Sequence, residues 1–99
     1  MPAYVLSEVE ILDEALADRY RPIAAASIAR YGGRYLIRGG AIELVEGDWP
    51  PNRRVVVVEF PTMERARAWY ASAEYAEALQ WRHRALDRRL IFVDGVPTE

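Results

Sequence analysis

Residues 54–60 read Arg-Val-Val-Val-Val-Glu-Phe, and this stretch decides the fold. Successive residues of a β-strand point to opposite faces of the sheet, so a strand with one face in water alternates apolar and polar residues. Here both faces are apolar from Val55 to Val58. The stretch therefore predicts a central strand of a sheet that is covered on both faces.

Three other extended regions accompany this strand. Tyr4–Ile11 and Arg88–Val93 are predicted strands, and the latter is also apolar on both faces. Arg34–Glu46 is extended but is interrupted by Gly39-Gly40, which is either a hairpin turn or a bend within one long strand. We favour the bend, because stronger turn chemistry follows at 47–52, with Gly, Asp, Asn and two prolines.

Helical spacing of apolar residues fills the two gaps between these strands. Asp13 is the predicted N-cap of the first helix, Pro22 should kink or split it, and Gly32-Gly33 should end it. Thr62 is the predicted N-cap of the second helical region. Ser72 is a second N-cap, so this region should break, restart and continue to Leu86.

The order β-α-β-β-α-β predicts an α+β domain over residues 1–94, followed by a tail at 95–99. This is the ferredoxin-like plait, a four-stranded antiparallel sheet with two helices on one face. Two helices cover only one face, and the other would expose a large apolar patch. We therefore expect a homodimer that packs sheet against sheet through that face.

The composition argues against several classes of function. The chain has 13 basic and 15 acidic residues, and a net charge of −2 does not favour nucleic acid as a partner. With no cysteine and one histidine, the chain offers few metal ligands. No signal peptide or membrane-spanning stretch is evident. We expect a cytoplasmic protein with no nucleic-acid or membrane partner and no metal or cofactor.

Four strings of residues carry a resemblance to a known family, and they lie in order along nearly the whole chain. They are Tyr31–Gly40, Glu46–Pro50, Val57–Pro61 and Ala68–Tyr75. The chain resembles the bacterial family known as domain of unknown function 1330. The resemblance implies the dimeric α/β-barrel group, which includes cofactor-free monooxygenases, haem-degrading enzymes, muconolactone isomerases and EthD-like proteins. The family has no established activity, so the resemblance assigns no catalytic residue.

His83 is the only histidine and lies at the border of the apolar stripe of its helix. It is either a general base or a metal or haem ligand in a pocket between helix and sheet, or an ordinary residue at the edge of the core or on the surface. Haem-degrading relatives carry a histidine a short step after an aromatic on this helix. Here Leu79 follows Tyr75 by one turn and His83 comes a turn later, which argues against haem ligation.

Arg38 and Arg82 need anionic partners if they face inward, because an unpaired buried charge is costly. Glu59 is the candidate partner for either of them. If one arginine stays unpaired, it can bind a carboxylate or phosphate. Trp49, in the proline-rich loop, either packs on a partner chain or covers a pocket.

Two functions follow from these residues. In the first, a pocket binds a small aromatic or carboxylate-bearing molecule and supports cofactor-independent isomerase or monooxygenase-like chemistry, with His83 carrying the proton. The other residues expected to line this pocket are Tyr20, Arg38, Trp69, Tyr75 and Arg82. In the second, the protein is a dimeric binding or stress-associated module without catalysis, and its inward polar residues are structural ion pairs. A cavity beside an unpaired arginine would favour the first function.

Overall fold

The structure, a computed structural model, describes residues 1–97. The last two residues of the predicted tail, 98–99, lie outside the described residues. The strands are β1 (Ala3–Ile11), β2 (Arg34–Arg38), β3 (Arg54–Phe60) and β4 (Leu86–Asp94). The helices are α1 (Glu14–Arg30), α2 (Met63–Tyr70) and α3 (Ala73–Ala85).

The four strands form one antiparallel sheet in the order β2-β3-β1-β4. This confirms the predicted α+β ferredoxin-like plait and the central position of the valine strand. The odd-numbered residues of β1 face the helices, and Ala3, Val5, Ser7 and Val9 are buried there. We call this the inner face of the sheet.

The region after α1 differs from both interpretations of Gly39-Gly40. Strand β2 ends at Arg38, and residues 39–53 contain no strand or helix. Gly39 has φ +73 and donates its N–H to the carbonyl of Val55 at 3.0 Å, so it ends the ladder. The register shift lies earlier in β2, between Tyr35 and Ile37. These two residues pair with successive residues of β3, so Leu36 has no partner there.

Helix α1 is one continuous helix, so of the two effects predicted for Pro22 the split is wrong, while the kink stays a prediction. Pro22 lacks an N–H and therefore leaves the carbonyl of Asp18 without its helical partner. Both residues are exposed, so water can satisfy that carbonyl. Asp13 caps the helix as predicted, by accepting from the N–H of Leu16 at 3.1 Å. Gly32, with φ +82, ends the helix.

The second helical region breaks where Ser72 predicts it. Thr62 caps α2 by accepting from the N–H of Arg65, and Ser72 caps α3 by accepting from the N–H of Tyr75, both at 3.1 Å. The predicted end at Leu86 is wrong, because α3 ends at Ala85 and Leu86 begins β4. Leu86 packs in a small core cluster with Val9. That contact requires the extended backbone of β4 at this position.

The helices cover only the inner face. The protein is a slab of 38 × 36 × 16 Å, and its main core lies between the helices and this face. On the opposite face, which we call the open face, Leu6, Val57, Ile91 and Val93 lie near the middle. Ile91 and Val93 are 56% and 39% exposed. The open face is therefore an uncovered apolar surface.

Candidate anion-binding cavity

A cavity of about 240 Å³ lies between α1 and the inner face of the sheet. Its apolar wall consists of aliphatic residues from the strands and of α1 and α2 residues that face them. These residues are Val5, Val9, Ile11, Ala24, Ile28, Val56, Val58, Trp69, Leu86 and Leu90. The polar side chains of the wall determine what the cavity can bind, and they are Ser7, Tyr20, Arg21, Tyr35, Arg38, Arg54 and Arg88.

Arg88 is the basic group at the inner end of this cavity. It lies on β4 opposite Val9, and its Nη1 donates to the hydroxyl of Tyr20 at 2.8 Å and to that of Tyr75 at 2.9 Å. Within residues 1–97, no carboxylate lies within salt-bridge distance of it. Burial lowers the pKa of Arg88, but the two hydroxyls raise the pKa by more, so the guanidinium stays charged.

The two phenols are also bonded to each other, with 2.6 Å between their oxygens. One hydroxyl must donate in this contact, so the other hydroxyl keeps a proton that it can donate elsewhere. Burial raises the pKa of Tyr75 well above its ordinary value, and Tyr20 raises it further. Tyr75 therefore keeps its proton and does not compensate the charge of Arg88.

The cavity reaches solvent at the end of β2. Among the residues that line it, the exposed ones are Arg38, Gly39 and Arg54. The Arg38 guanidinium lies 4.2 Å from the ring centre of Tyr35, a cation–π contact. Within the described residues, neither Arg38 nor Arg54 has a carboxylate within salt-bridge distance. The mouth of the cavity is therefore positively charged.

A fourth arginine in the wall is neutralised locally. Arg21 pairs with Asp18 at 2.6 Å and with Glu14 at 3.3 Å, both on α1. No aspartate, glutamate or histidine is found among the described residues that line the cavity. Arg38, Arg54 and Arg88 thus give it a net positive interior.

Four of the predicted site residues come together here. Tyr20, Arg38 and Trp69 line the cavity, and Tyr75 lies directly behind Arg88. Trp69 is buried and donates its Nε1–H to the hydroxyl of Ser27 at 3.0 Å. Its role is therefore to wall the cavity rather than to present a polar group.

Arg82 and His83 do not line this cavity. Arg82 borders a second depression with Tyr70 and Phe92, and Arg88 and Leu90 of the cavity wall also line this depression. The buried Nε of Arg82 has no hydrogen-bond partner among the described residues. His83 is exposed, and its Nδ1 lies 3.2 Å from a guanidinium nitrogen of Arg82. The expectation that both residues share a pocket with Tyr20 does not match the structure. A catalytic role for His83 stays a prediction.

The expected pairing of Glu59 with Arg38 or Arg82 is wrong. Glu59 has an odd number on β3 and so points to the open face, away from the helices. There it accepts from Arg34 at 2.7 Å and from Tyr4 at 3.1 Å. The hydrogen bond from Arg34 lowers the pKa of Glu59, which keeps the carboxylate charged.

Arg54 and Arg88 line the cavity but were not predicted as site residues. The alternation of side chains along a strand could have indicated both positions. Arg88 is two residues before Leu90, and Arg54 is two residues before Val56. Each arginine therefore shares the inner face with those residues. The loop residue Trp49 is half-buried and donates its Nε1–H to the carbonyl of Arg53 at 3.2 Å. Its contact with a partner or a pocket stays a prediction.

In the part of the chain from 1 to 97, no group of three or more His, Cys, Asp or Glu side chains is arranged to hold a metal ion. In the same part, no helix is both long enough and apolar enough to cross a membrane.

The fold and the cavity are those of a small ferredoxin-like α+β protein with a space between its helices and its sheet. The family profile of the domain of unknown function DUF1330 matches residues 2–96. The chain belongs to this family, as the sequence resemblance predicted. No functionally curated protein shows significant sequence similarity to it.

Three solved structures illustrate the likeness in fold. The RPA0582 protein of unknown function from Rhodopseudomonas palustris is 21% identical, with a TM-score of 0.78 over 98% of this chain and 84% of that one. SnoaB, a cofactor-independent oxygenase from Streptomyces nogalater, is 13% identical, with a TM-score of 0.69 over 98% and 95%. A dimeric protein of unknown function and ferredoxin-like fold from Bacteroides fragilis is 8% identical, with a TM-score of 0.64 over 95% and 96%. At these identities the likeness concerns the fold alone.

Proposed function

We propose that this protein binds a small organic anion, with a carboxylate and an apolar or aromatic body, in the cavity between α1 and the sheet. The observation that carries this proposal is Arg88, a half-buried guanidinium that is hydrogen-bonded to two phenols and, within residues 1–97, to no carboxylate. A buried charge without a counter-charge is costly, and a bound anion relieves that cost.

The wall of the cavity fits such a ligand. A guanidinium binds a carboxylate through two parallel hydrogen bonds. When Tyr75 donates to Tyr20, the proton of Tyr20, which lines the cavity, supplies one more donor. Val9 and Val56, from neighbouring strands, provide an apolar surface for the body of the ligand. The structure thus offers an anchor for charge and a dry surface beside it.

A second candidate function is cofactor-independent isomerase or monooxygenase-like chemistry on the bound anion. Arg88 and a phenolic proton form a preorganised set of donors, which stabilises negative charge that develops on a substrate oxygen. The fold shared with SnoaB, a cofactor-independent oxygenase, agrees with this candidate. The cavity wall offers no carboxylate or imidazole as a base among the described residues. Binding without catalysis, in a dimeric module, is therefore the simpler proposal.

We also propose that two copies associate through their open faces. Leu6, Val57, Ile91 and Val93 lie together on this face, with charged residues nearer its ends. Burying such a surface removes apolar area from water, the main driving force of association. A protein of this fold from Bacteroides fragilis is described as dimeric. The cavity lies on the other side of the sheet and stays accessible in such a dimer.

The binding proposal is tested with benzoate as the probe. We expect benzoate to bind by isothermal titration calorimetry, and we expect Arg88→Met to weaken it at least about tenfold, because the anchor is lost. Met keeps the length and the apolar packing of the side chain. Arg65→Met, at an exposed position on α2 outside the cavity, is the matched control and should bind like the wild type.

Native mass spectrometry of protein freshly purified from cells complements the titration. Excess mass that is present in the wild type and absent from Arg88→Met would identify the natural ligand and support the proposal. Equal affinity for benzoate in the wild type and in Arg88→Met would contradict it, as would the absence of binding to either.

A further inference from the structure

The strand register places in one row across the inner face two arginines that have no carboxylate partner within residues 1–97. Arg88 on β4 is opposite Val9 on β1, and Val9 is opposite Arg54 on β3. Directly paired residues point to the same face, so both guanidinium groups rise on the helix side of the sheet. Two strand spacings of about 4.8 Å put their Cα atoms roughly 10 Å apart, with Val9 between them.

The third arginine stands next to Arg54. Arg38 on β2 is opposite Val56, two residues further along β3 than Arg54. This diagonal relation brings their Cα atoms to about 7–8 Å. Arg38 and Arg54 are the exposed arginines of the cavity wall, whereas Arg88 is half-buried. The cavity thus has one positive group at its inner end and two at its mouth.

Val9, which separates the two ends, is apolar and buried. Arg21, the other arginine of the wall, has two carboxylates of its own on α1, which shows how this chain neutralises a structural arginine. Arg38, Arg54 and Arg88 have none among residues 1–97. Three like charges around one small cavity repel each other, and negative charge at both ends of a ligand would relieve this repulsion.

We infer that the ligand of this cavity is a dicarboxylate, with one carboxylate on Arg88 at the inner end and the second at the mouth on Arg54 and Arg38. The inference rests on the proposed binding function and specifies its ligand class. The linker between the two carboxylates lies over Val9 and is apolar, either a short aliphatic chain or a ring. A monocarboxylate occupies only the inner half of this arrangement.

The test compares adipate with hexanoate, which has the same six carbons and lacks the second carboxylate. We expect adipate to bind the wild type about five- to tenfold more tightly than hexanoate by calorimetry at low ionic strength, since the mouth arginines are exposed and partly screened. In Arg54→Met and in Arg38→Met the preference for adipate over hexanoate should shrink, because adipate loses more affinity than hexanoate when a mouth arginine is removed. Arg65→Met should keep the full preference.

The outcomes separate this inference from the function on which it rests. If hexanoate and benzoate bind through Arg88 and adipate binds no more tightly, the inference is overturned and anion binding stands. If the adipate preference persists in both mouth variants, the second carboxylate is held elsewhere and the inference is again wrong. If no probe binds the wild type, both proposals fall together.

Discussion

Arg88 and its two phenols show how single residues set the properties of the site. A charged side chain in a mostly apolar wall contributes little to the stability of the fold when its hydrogen-bond partners carry no charge. The hydroxyls of Tyr20 and Tyr75 hold the guanidinium in place and leave one phenolic proton for a ligand. The cluster therefore serves binding better than it serves folding.

Tyr75 gives a prediction at this scale. In the folded protein the pKa of Tyr75 is raised, mainly by burial, whereas in the unfolded chain it is close to 10. Above pH 10 the unfolded chain loses the phenolic proton and the folded protein keeps it, so stability falls by about 1.4 kcal/mol per pH unit from this group. Below pH 10 this contribution is fully present.

Tyr75→Phe should therefore be less stable than the wild type at pH 8, by about 1 kcal/mol for the lost hydrogen bonds. The difference should shrink between pH 10 and pH 11, because the variant no longer has this proton to retain. Urea unfolding at pH 8, 10 and 11 measures this difference in the free energy of unfolding.

Tyr4 and Tyr35 also have raised pKa values, so both the wild type and the variant lose some stability at alkaline pH. A difference that stays constant with pH would contradict the argument, and Tyr70→Phe, at an exposed position, is the control.

At the scale of elements, local chemistry predicts where helices start better than where strands end. Asp13, Thr62 and Ser72 cap the helices as expected, because a capping side chain needs only the N–H groups two or three residues ahead. The end of β2 at Arg38 depends on how far β3 can pair with it. That is a contact between distant parts of the chain, which local patterns do not contain.

The turn between α1 and β2 gives a prediction for an element. A Cβ on Gly33 would lie 2.7 Å from Cε1 of Phe60 and 2.8 Å from Cγ2 of Ile28, both in the core. Gly33→Ala should therefore lower the free energy of unfolding by about 1–3 kcal/mol, through overpacking. Urea denaturation measures it.

Gly40→Ala is the matched control for this substitution. Nothing lies within 4 Å of a Cβ at Gly40, and its φ is not in the left-handed region, so the change should be neutral or slightly stabilising. Equal changes in the free energy of unfolding for the two substitutions would contradict the argument that a side chain at Gly33 overpacks the core.

At the scale of the whole molecule, the open face is the side of the sheet that the helices leave uncovered. The sheet carries helices on one side only, and the slab is 16 Å thick. Glu59, Arg34 and Tyr4 form a polar network on this face beside the apolar residues. This mixture of an apolar centre and a polar margin is typical of an interface between copies.

Ile91→Arg tests the proposed dimer. Ile91 is 56% exposed on the open face, and an arginine there would place a desolvated charge in the interface. We expect the wild type to be a dimer at micromolar concentration and Ile91→Arg to be monomeric, as measured by size-exclusion chromatography with light scattering. Leu12→Arg is the control, since Leu12 is also 56% exposed but lies beyond the end of β1. A monomeric wild type, or a dimeric Ile91→Arg, would contradict the proposal.

The candidate site was predictable only in part. Tyr20, Arg38 and Trp69 were expected in a cavity between helix and sheet and are found there, with Tyr75 directly behind Arg88. Arg82 and His83 were expected with them because they border the apolar stripe of their helix. Nearness to a stripe does not determine which of two neighbouring spaces a long side chain enters, since that depends on how the helix lies against the sheet.

The sequence by itself determined the order of the elements, the caps of the helices and the two-sided apolar character of β3, because these follow from local periodicity and hydrogen bonding. Only the tertiary structure decided that Arg54 and Arg88 lie in one row with Val9, and that Glu59 faces away from them. Register joins residues that are distant along the chain, and a shift of one residue would move every side chain to the other face. The positive character of the cavity is therefore a property of the register of the sheet.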